Sequence, residues 1–381
     1  MKIPFFVPEV NNEDKKIMLK SLDSSYLTDG PELKKFEKRF AKFTNSRFAV
    51  GVSNATSALL LSLKAIGIQK GDEVIIPDMT FIATASAVIL SGATPVLADI
   101  KKDDLTLMPE SVEKSVNSKT KAIIPVHFAG SSCDMKQIKK IAKKNNLKII
   151  EDCAHAIGTL YENKHVGTIG DIGCFSFYPT KNITTLEGGM VITNTRKYFE
   201  YTKKARNHGI TRSLIQRYSK GRPWDYDVIE TGYNFRLDEI RSSLGINQLK
   251  RIKKINSRRK KICLYYNNGI SNINGIKVPE LFSNNREHSC HLYIIQIGKQ
   301  FGLSRDSLVK KLKTSGITTT VHYKPLHKFS VMRKYGKTYD SLRNSKQVYK
   351  EIISLPLYLG LTTKQQNYVI NQLKKYSKFT L

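Results

Sequence analysis

The sequence predicts an α/β fold built on a mostly parallel sheet with helices on both faces. Three observations carry this. Short, continuous apolar runs recur between residues 47 and 194, as expected of strands buried on both sides. Helix-length segments separate most of them. Near residue 239 the character changes, and a long helical stretch leads into a smaller α+β region. The expected division is a large α/β domain at 1–240 and a smaller C-terminal α+β domain at 241–381, linked by that helix.

Residues 13–22 and 31–43 read as amphipathic helices separated by the turn Asp29-Gly30-Pro31. From residue 47 strand and helix alternate. FAVGVS precedes a helix from about Thr56 to Ala65, and DEVIIP precedes one from about Phe81 to Leu90. TPVLADI, KAIIPVHF and LKIIED are further apolar runs, with the amphipathic helix KQIKKIAKKNN between the last two. GCFSF and GMVITN add strands on either side of a loop that carries Lys181. From residue 239, EIRSSLGINQLKRIKKINSRRKKICLYYNN reads as one or two long helices. CHLYIIQI, GITTTVHY and a helix from about Thr363 to Lys375 suggest the smaller domain.

At 381 residues and 40% hydrophobic content, the chain can bury a large core and is neither disordered nor membrane-like in composition. MKIPFFVPEV has no apolar core of signal-peptide length. The most apolar long segment, 79–98, is broken by Ser91, Gly92 and Pro95, and reads as a helix followed by a strand. Cys133, Cys153, Cys174, Cys263 and Cys290 lack metal-type spacing and point to a reducing cytoplasm. A net charge of +31 is compatible with nucleic acid or a membrane surface as partner. Its distribution argues otherwise: KKIAKKNNLK, KRIKKINSRRKK and QLKKYSK are separate helical faces interleaved with Ile or Leu. They read as solvated surface whose field would help recruit a nucleotide diphosphate.

The chemistry concentrates in FSFYPTKNITTLEGG, residues 175–189, and EDCAHA, residues 151–156. Lys181 lies in a loop ahead of Gly188-Gly189, and Asp152 ends a probable parallel strand, where ligands gather in open α/β sheets. A strand-end carboxylate and a loop lysine are what a pyridoxal phosphate (PLP) enzyme needs. The lysine holds the cofactor covalently, and the aspartate keeps its pyridine nitrogen protonated. That lysine must be uncharged to attack an aldehyde, and partial burial near another cation lowers its pKa. Taken alone, Lys181 also suits a surface salt bridge and Asp152 a helix N-cap. Asp152 and His155 suit two metal ligands as well, but no HExxH or paired Cys-x-x-Cys pattern completes a shell, and no metal is expected.

Ser53-Asn54-Ala55-Thr56-Ser57, between a strand and a helix, offers N–H groups and hydroxyls to a phosphate, or serves as a plain N-cap. Ser176 offers a second hydroxyl. Phe81, in PDMTFIAT, suits stacking on a planar ring, or ordinary core. GTIGDIG, 167–173, has the wrong spacing for a dinucleotide fingerprint.

VSNATSALLLSL, GDEVIIPDMTFIATASAV, GATPVLADI, IIPVHFAG, EDCAHAIGT, GDIGCFSFYPTKNITTLEGGM, GYNFRLDEIRSSLG and VHYKPLH occur in this order. With them the chain resembles the DegT/DnrJ/EryC1/StrS family of sugar aminotransferases, from about residue 5 to about 375. The resemblance implies the fold-type I PLP-dependent aminotransferase scaffold, with a mostly parallel, seven-stranded sheet. It implies that Lys181 is the cofactor lysine and proton shuttle, and that Asp152 pairs with the pyridine nitrogen. His155 would lie near the cofactor's phenolic oxygen, Phe81 would stack on its ring, and Ala55, Thr56 and Ser176 would hold its phosphate. Asn234 would reach the phosphate of the neighbouring subunit, so the implied active unit is a homodimer with shared sites.

Many members have Gly at the position of Ala55 and Gln at that of His155; both changes keep the hydrogen-bonding groups. Members that deoxygenate sugars replace the lysine with histidine, so Lys181 argues against that subset. The implied reaction moves an amino group from L-glutamate to a ketosugar carried on a nucleotide diphosphate, UDP or dTDP, for amino-sugar or surface polysaccharide biosynthesis. HSCHLYII and HFAG are similar to members that aminate C4 of UDP-sugars; amination at C3 or a dehydratase-like variant are the alternatives within enzymes. Tyr178, His322, Tyr323 and His327 are candidates to meet the sugar or diphosphate, or else domain-interface packing. A non-catalytic regulator that binds nucleic acid through its basic surface is the alternative from another class. Lys181, Asp152 and Asn234 together, and the lack of a helix-turn-helix segment, oppose it.

Overall fold

The computed structural model describes residues 1–212, 214–219, 222–283 and 285–377. Helices α1 (Asn12–Ser21) and α2 (Pro31–Thr44) open the chain. Pro31 starts α2 where its missing N–H costs nothing, and Asn45 ends it in the left-handed region at φ 57°. Seven strands of the large sheet follow: β1 (Phe48–Val52), β2 (Glu73–Pro77), β3 (Thr94–Ala98), β4 (Thr120–Ile123), β5 (Lys148–Asp152), β6 (Ile172–Ser176) and β7 (Gly189–Thr193). Between and after them run α3 (Ala55–Ala65), α4 (Ile82–Leu90), α5 (Met135–Lys144) and α6 (Arg196–Ala205). The remainder holds α7 (Glu239–Lys250), α8 (Ile252–Ile270), β8 (Tyr293–Ile297), α9 (Arg305–Thr314), β9 (Lys337–Thr338), β10 (Ile352–Leu355) and α10 (Thr363–Ser377).

The large sheet has the order β1-β7-β6-β5-β4-β2-β3-β9. Its pairs are parallel except those of β7, which runs antiparallel to both β1 and β6. The seven predicted strands therefore all form, and the two-residue β9 covers the β3 edge. The run KAIIPVHF stops pairing as a ladder after Ile123, because Pro125 has no N–H to donate. GITTTVHY forms no ladder either; Ile317 and Thr320 make only isolated bridges, to Ile3 and Ser354. The small sheet is instead Ile276–Lys277, β8 and β10, all antiparallel.

Both faces of the large sheet are buried. On β6, Phe175 faces a core containing Phe36, Phe40, Ile138 and Phe177, while Cys174 faces Leu59, Leu63 and Val88. Phe40 meets Phe175 and Phe177 edge-on at 5.1 and 5.5 Å, contacts worth about 1 kcal/mol each beyond area burial. They fix the end of β6, from which the Lys181 loop departs. The cores do not follow a single cut in the chain. Ile3 lies in the small core, whereas Ile246, Leu249, Ile252 and Ile255, and on the other face Leu326, Met332 and Leu342, lie in the large ones. A cut at residue 240 thus leaves several residues on the far side of the core they fill.

Candidate active site

After β2 the chain crosses to β3 on one side, then returns to β4 on the other, so the strand order switches at β2. The C-terminal ends of β1, β2, β5 and β6 face a cavity of about 540 Å³ beside this switch, where open α/β sheets bind ligands. Its wall includes Ala55, Thr56, Phe81, Asp152, His155, Ser176, Tyr178, Lys181, His322 and Tyr323. Ten of the twelve candidate residues therefore meet in one place.

Asp152 closes the floor. It is 5% exposed, and its carboxylate accepts from the Thr84 hydroxyl at 2.9 Å and the Ala154 N–H at 3.1 Å. Burial outweighs these bonds and raises its pKa, while the nearby charges of Lys181 and His127 pull it down. Such a carboxylate is a receptor for a positive charge. Lys181 follows a turn closed by its own N–H on the Tyr178 carbonyl at 2.9 Å. Its neighbour Asn182 anchors the loop, donating to Asn256 and to the Ser289 carbonyl, both at 2.8 Å, and meeting His291 Nδ1 at 3.2 Å. Burial lowers the Lys181 pKa to about 8, and Asp152 opposes the shift. The expected second cation plays no part; desolvation alone does the work.

The start of α3 makes the opposite end. Asn54 caps it by accepting from the Ser57 N–H at 2.8 Å, which leaves the Ala55 and Thr56 N–H groups without a partner among the described residues. Gly189 permits this approach: a Cβ there would stand 2.5 Å from the Asn54 carbonyl carbon. His155 is locked as one tautomer. Its Nδ1 accepts from the Ala129 N–H at 3.3 Å, so the proton sits on Nε2 and is donated to the Tyr323 oxygen at 3.1 Å. Burial first, then Lys181 and His322, hold its pKa well below the ordinary value. Burial likewise lowers that of His322 to about 4, and His322 Nδ1 meets Ser354 Oγ at 2.8 Å. Phe81 is 56% exposed beside the cavity, an aromatic face without core packing.

Two candidates lie elsewhere. His327 turns away from the cavity and donates Nδ1–H to the buried Asp78 at 2.7 Å, which corrects its assignment as a substrate group. Asn234 lies on a backbone bridge to Asn207, outside the cavity of its own chain. Sequence reading missed Thr84, whose position three residues after Phe81 on one helix face was the available signal. It also missed Glu187, inside TTLEGG, and His291, whose ring centroid lies 4.5 Å from that of His155. His291 arrives from the segment just before β8, far along the chain from the Lys181 loop.

His127, Glu151 and Cys153 cluster on the opposite side of β5. Glu151 accepts there from His127 and from the N–H groups of Gly167, Ile169 and Gly170, so its oxygens are already filled. A larger cleft of about 860 Å³, lined by Phe43, Lys164, Lys253 and Asn256 among others, contains none of the twelve candidates.

The DegT/DnrJ/EryC1/StrS aminotransferase family model matches residues 8–374. The chain belongs to this family. Among its relatives, the spore coat polysaccharide biosynthesis protein SpsC of Bacillus subtilis is 37% identical over 99% of this chain and 97% of its own. Among solved structures, Spr1654 from Streptococcus pneumoniae in its PMP form is 30% identical with a TM-score of 0.93, covering 100% of both chains. Helicobacter pylori PseC, an aminotransferase involved in the biosynthesis of pseudoaminic acid, is 31% identical with a TM-score of 0.91, again over 100% of both. The fold-type I scaffold of this DegT/DnrJ/EryC1/StrS member is thus shared from end to end.

Proposed function

We propose that this PLP-dependent sugar aminotransferase moves an amino group from L-glutamate to C4 of a ketosugar carried on a nucleotide diphosphate, in the making of a surface polysaccharide. The observation that carries the reading is one cavity holding a lysine with a pKa of about 8, a buried carboxylate whose pKa burial raises, and two helix N–H groups without a partner among the described residues. PLP fits that donor set. Asp152 suits a protonated pyridine nitrogen, and the α3 N–H groups with the Thr56 and Ser176 hydroxyls suit its phosphate. Phe81 would cover the ring. When bound, PLP supplies an aldehyde carbon and a protonated ring that takes up the electrons of a broken C–H bond.

The protein's share is then defined. Lys181 Nζ, neutral in a useful fraction of molecules, would hold the aldehyde by condensing with it and releasing water, and once freed would carry the α-proton of the donor. Asp152 holds the pyridine proton in place. His155, neutral and fixed by Ala129, is a hydrogen-bonding group of constant charge. Tyr178, His322 and Tyr323 line the cavity and would meet the sugar or diphosphate. The five buried free thiols suit a reducing compartment, and no described helix is long and apolar enough to cross a membrane. The relation to SpsC supports the polysaccharide assignment. The test is incubation with PLP, L-glutamate and UDP- or dTDP-4-keto sugars, with NMR of the product. A new C4 amine is expected; amination of only 3-keto sugars would overturn the position, and none at all the reading.

The active unit is a homodimer in which Asn234 serves the partner's site. Its place outside its own cavity supports this. Mixing Lys181→Ala and Asn234→Ala subunits after denaturation should restore activity that neither variant has, to about a quarter of wild type for random pairing. Sites completed within one chain would give no recovery.

A further inference from the structure

The segment 320–328 crosses from the small core into the cavity and is held at two ends. At the first, Thr320 and Ser354 exchange backbone bonds of 3.3 and 2.8 Å, and His322 meets the Ser354 hydroxyl. At the second stands Asp78, fully buried one residue beyond β2. Its carboxylate accepts from the His327 backbone N–H at 2.9 Å, the His327 Nδ1–H at 2.7 Å and the Ser345 hydroxyl at 2.6 Å. Its carbonyl accepts from the Leu326 N–H at 2.7 Å. A carboxylate taken out of water is stable only while its acceptor positions are filled, so this junction has one register.

Asp78 also lies three residues before Phe81, and His327 four residues after Tyr323. The pair therefore ties together two opposite walls of the cavity. The Phe81 and Tyr323 rings stand 5.9 Å apart across it, and Tyr323 touches His155 from the far side. We propose that Asp78 and His327 form a positioning clamp that fixes Tyr323 opposite Phe81 and against His155, and so sets the gap in which the ligand is held. The use of that gap rests on the aminotransferase reading. His327 acts through Tyr323 and touches no substrate.

A double-mutant cycle tests this. His327→Ala and Tyr323→Phe are each expected to lower kcat/KM for the ketosugar about tenfold, and the double variant no further than either alone. The pH midpoint of the absorption band of Lys181-bound PLP should move in the same direction and by the same amount in both. Asn places an amide N–H where Nδ1 stood, so His327→Asn should return to within about threefold of wild type. Gln places it where Nε2 stood, so His327→Gln should behave as alanine and serves in the cycle where the alanine variant does not fold. Losses that multiply to about a hundredfold in the double variant, or unchanged kcat/KM and midpoint in His327→Gln, would overturn the clamp. If the wild type binds PLP but aminates no ketosugar, the function reading fails, and the midpoint shift still decides the clamp.

Discussion

Lys181→Ala is expected to lower kcat for amine transfer about 10⁴-fold at saturating PLP, with the fold intact. A positioned proton carrier is worth about 10² to 10⁴ in rate, and here the same amine also forms the covalent link, so the upper end applies. The variant should bind PLP without the yellow band of the lysine-bound form. Residual kcat within tenfold of wild type would show that another base carries the proton. The pH dependence follows from the lysine's environment. Folding lowers its pKa from 10.5 to about 8, so the neutral, reactive amine grows as pH rises through 8. At pH 7 about a tenth of molecules carry it, against about 0.03% for an ordinary lysine, a gain of about 300-fold. Capture of PLP by apo-protein should therefore speed up about tenfold between pH 7 and 9 and then level off. Stopped-flow absorbance measures this. A rate still climbing about tenfold from pH 8 to pH 9, where a pKa of about 8 allows only about twofold, would mean that burial leaves the lysine unperturbed.

What the sequence made legible divides by the range of the interaction. Asp152 and Lys181 could be read because each is announced locally: the first by the run LKIIE, the second by FSFYP before it and Gly188-Gly189 after it. The strands of the large sheet share that property, since both of their faces are buried and their apolar runs are unbroken. His327 was different. It stands beside two cavity residues in VHYKPLH, and only the fold reveals that Asp78, 249 residues earlier, takes its imidazole. His291 has the same character, reaching Asn182 from 109 residues away and placing its ring beside that of His155. The sequence GITTTVHY reads as a strand through its β-branched residues, yet it leaves the small sheet after one bridge to deliver His322 and Tyr323 to the cavity. Function overrides propensity there: after the backbone exchange between Thr320 and Ser354 the bonds are made by side chains, His322 to the Ser354 hydroxyl and Tyr323 to His155.

Asp152→Ala should damage chemistry far more than cofactor binding: kcat falls about 10³-fold, while the Kd for PLP rises about tenfold. The difference comes from where the charge matters. An opposite charge at about 4 Å is worth about 4 kcal/mol at an effective dielectric constant of 20, which is about 10³ in the population of a protonated ring nitrogen. The phosphate end keeps its own contacts at α3 and Ser176, so binding loses less. Thr84 should follow in the same direction with a smaller effect, since its hydroxyl aims the Asp152 carboxylate at 2.9 Å. The variant also reports on Lys181. Asp152 is what holds that lysine's pKa up against burial, so its removal should move the midpoint of PLP capture below 8. PLP titration, steady-state kcat and stopped-flow capture give the three readings on one protein. Activity equal to wild type at saturating PLP, with an unmoved midpoint, would remove Asp152 from both roles and leave its buried carboxylate as an N-terminal cap to the Ala154 turn alone.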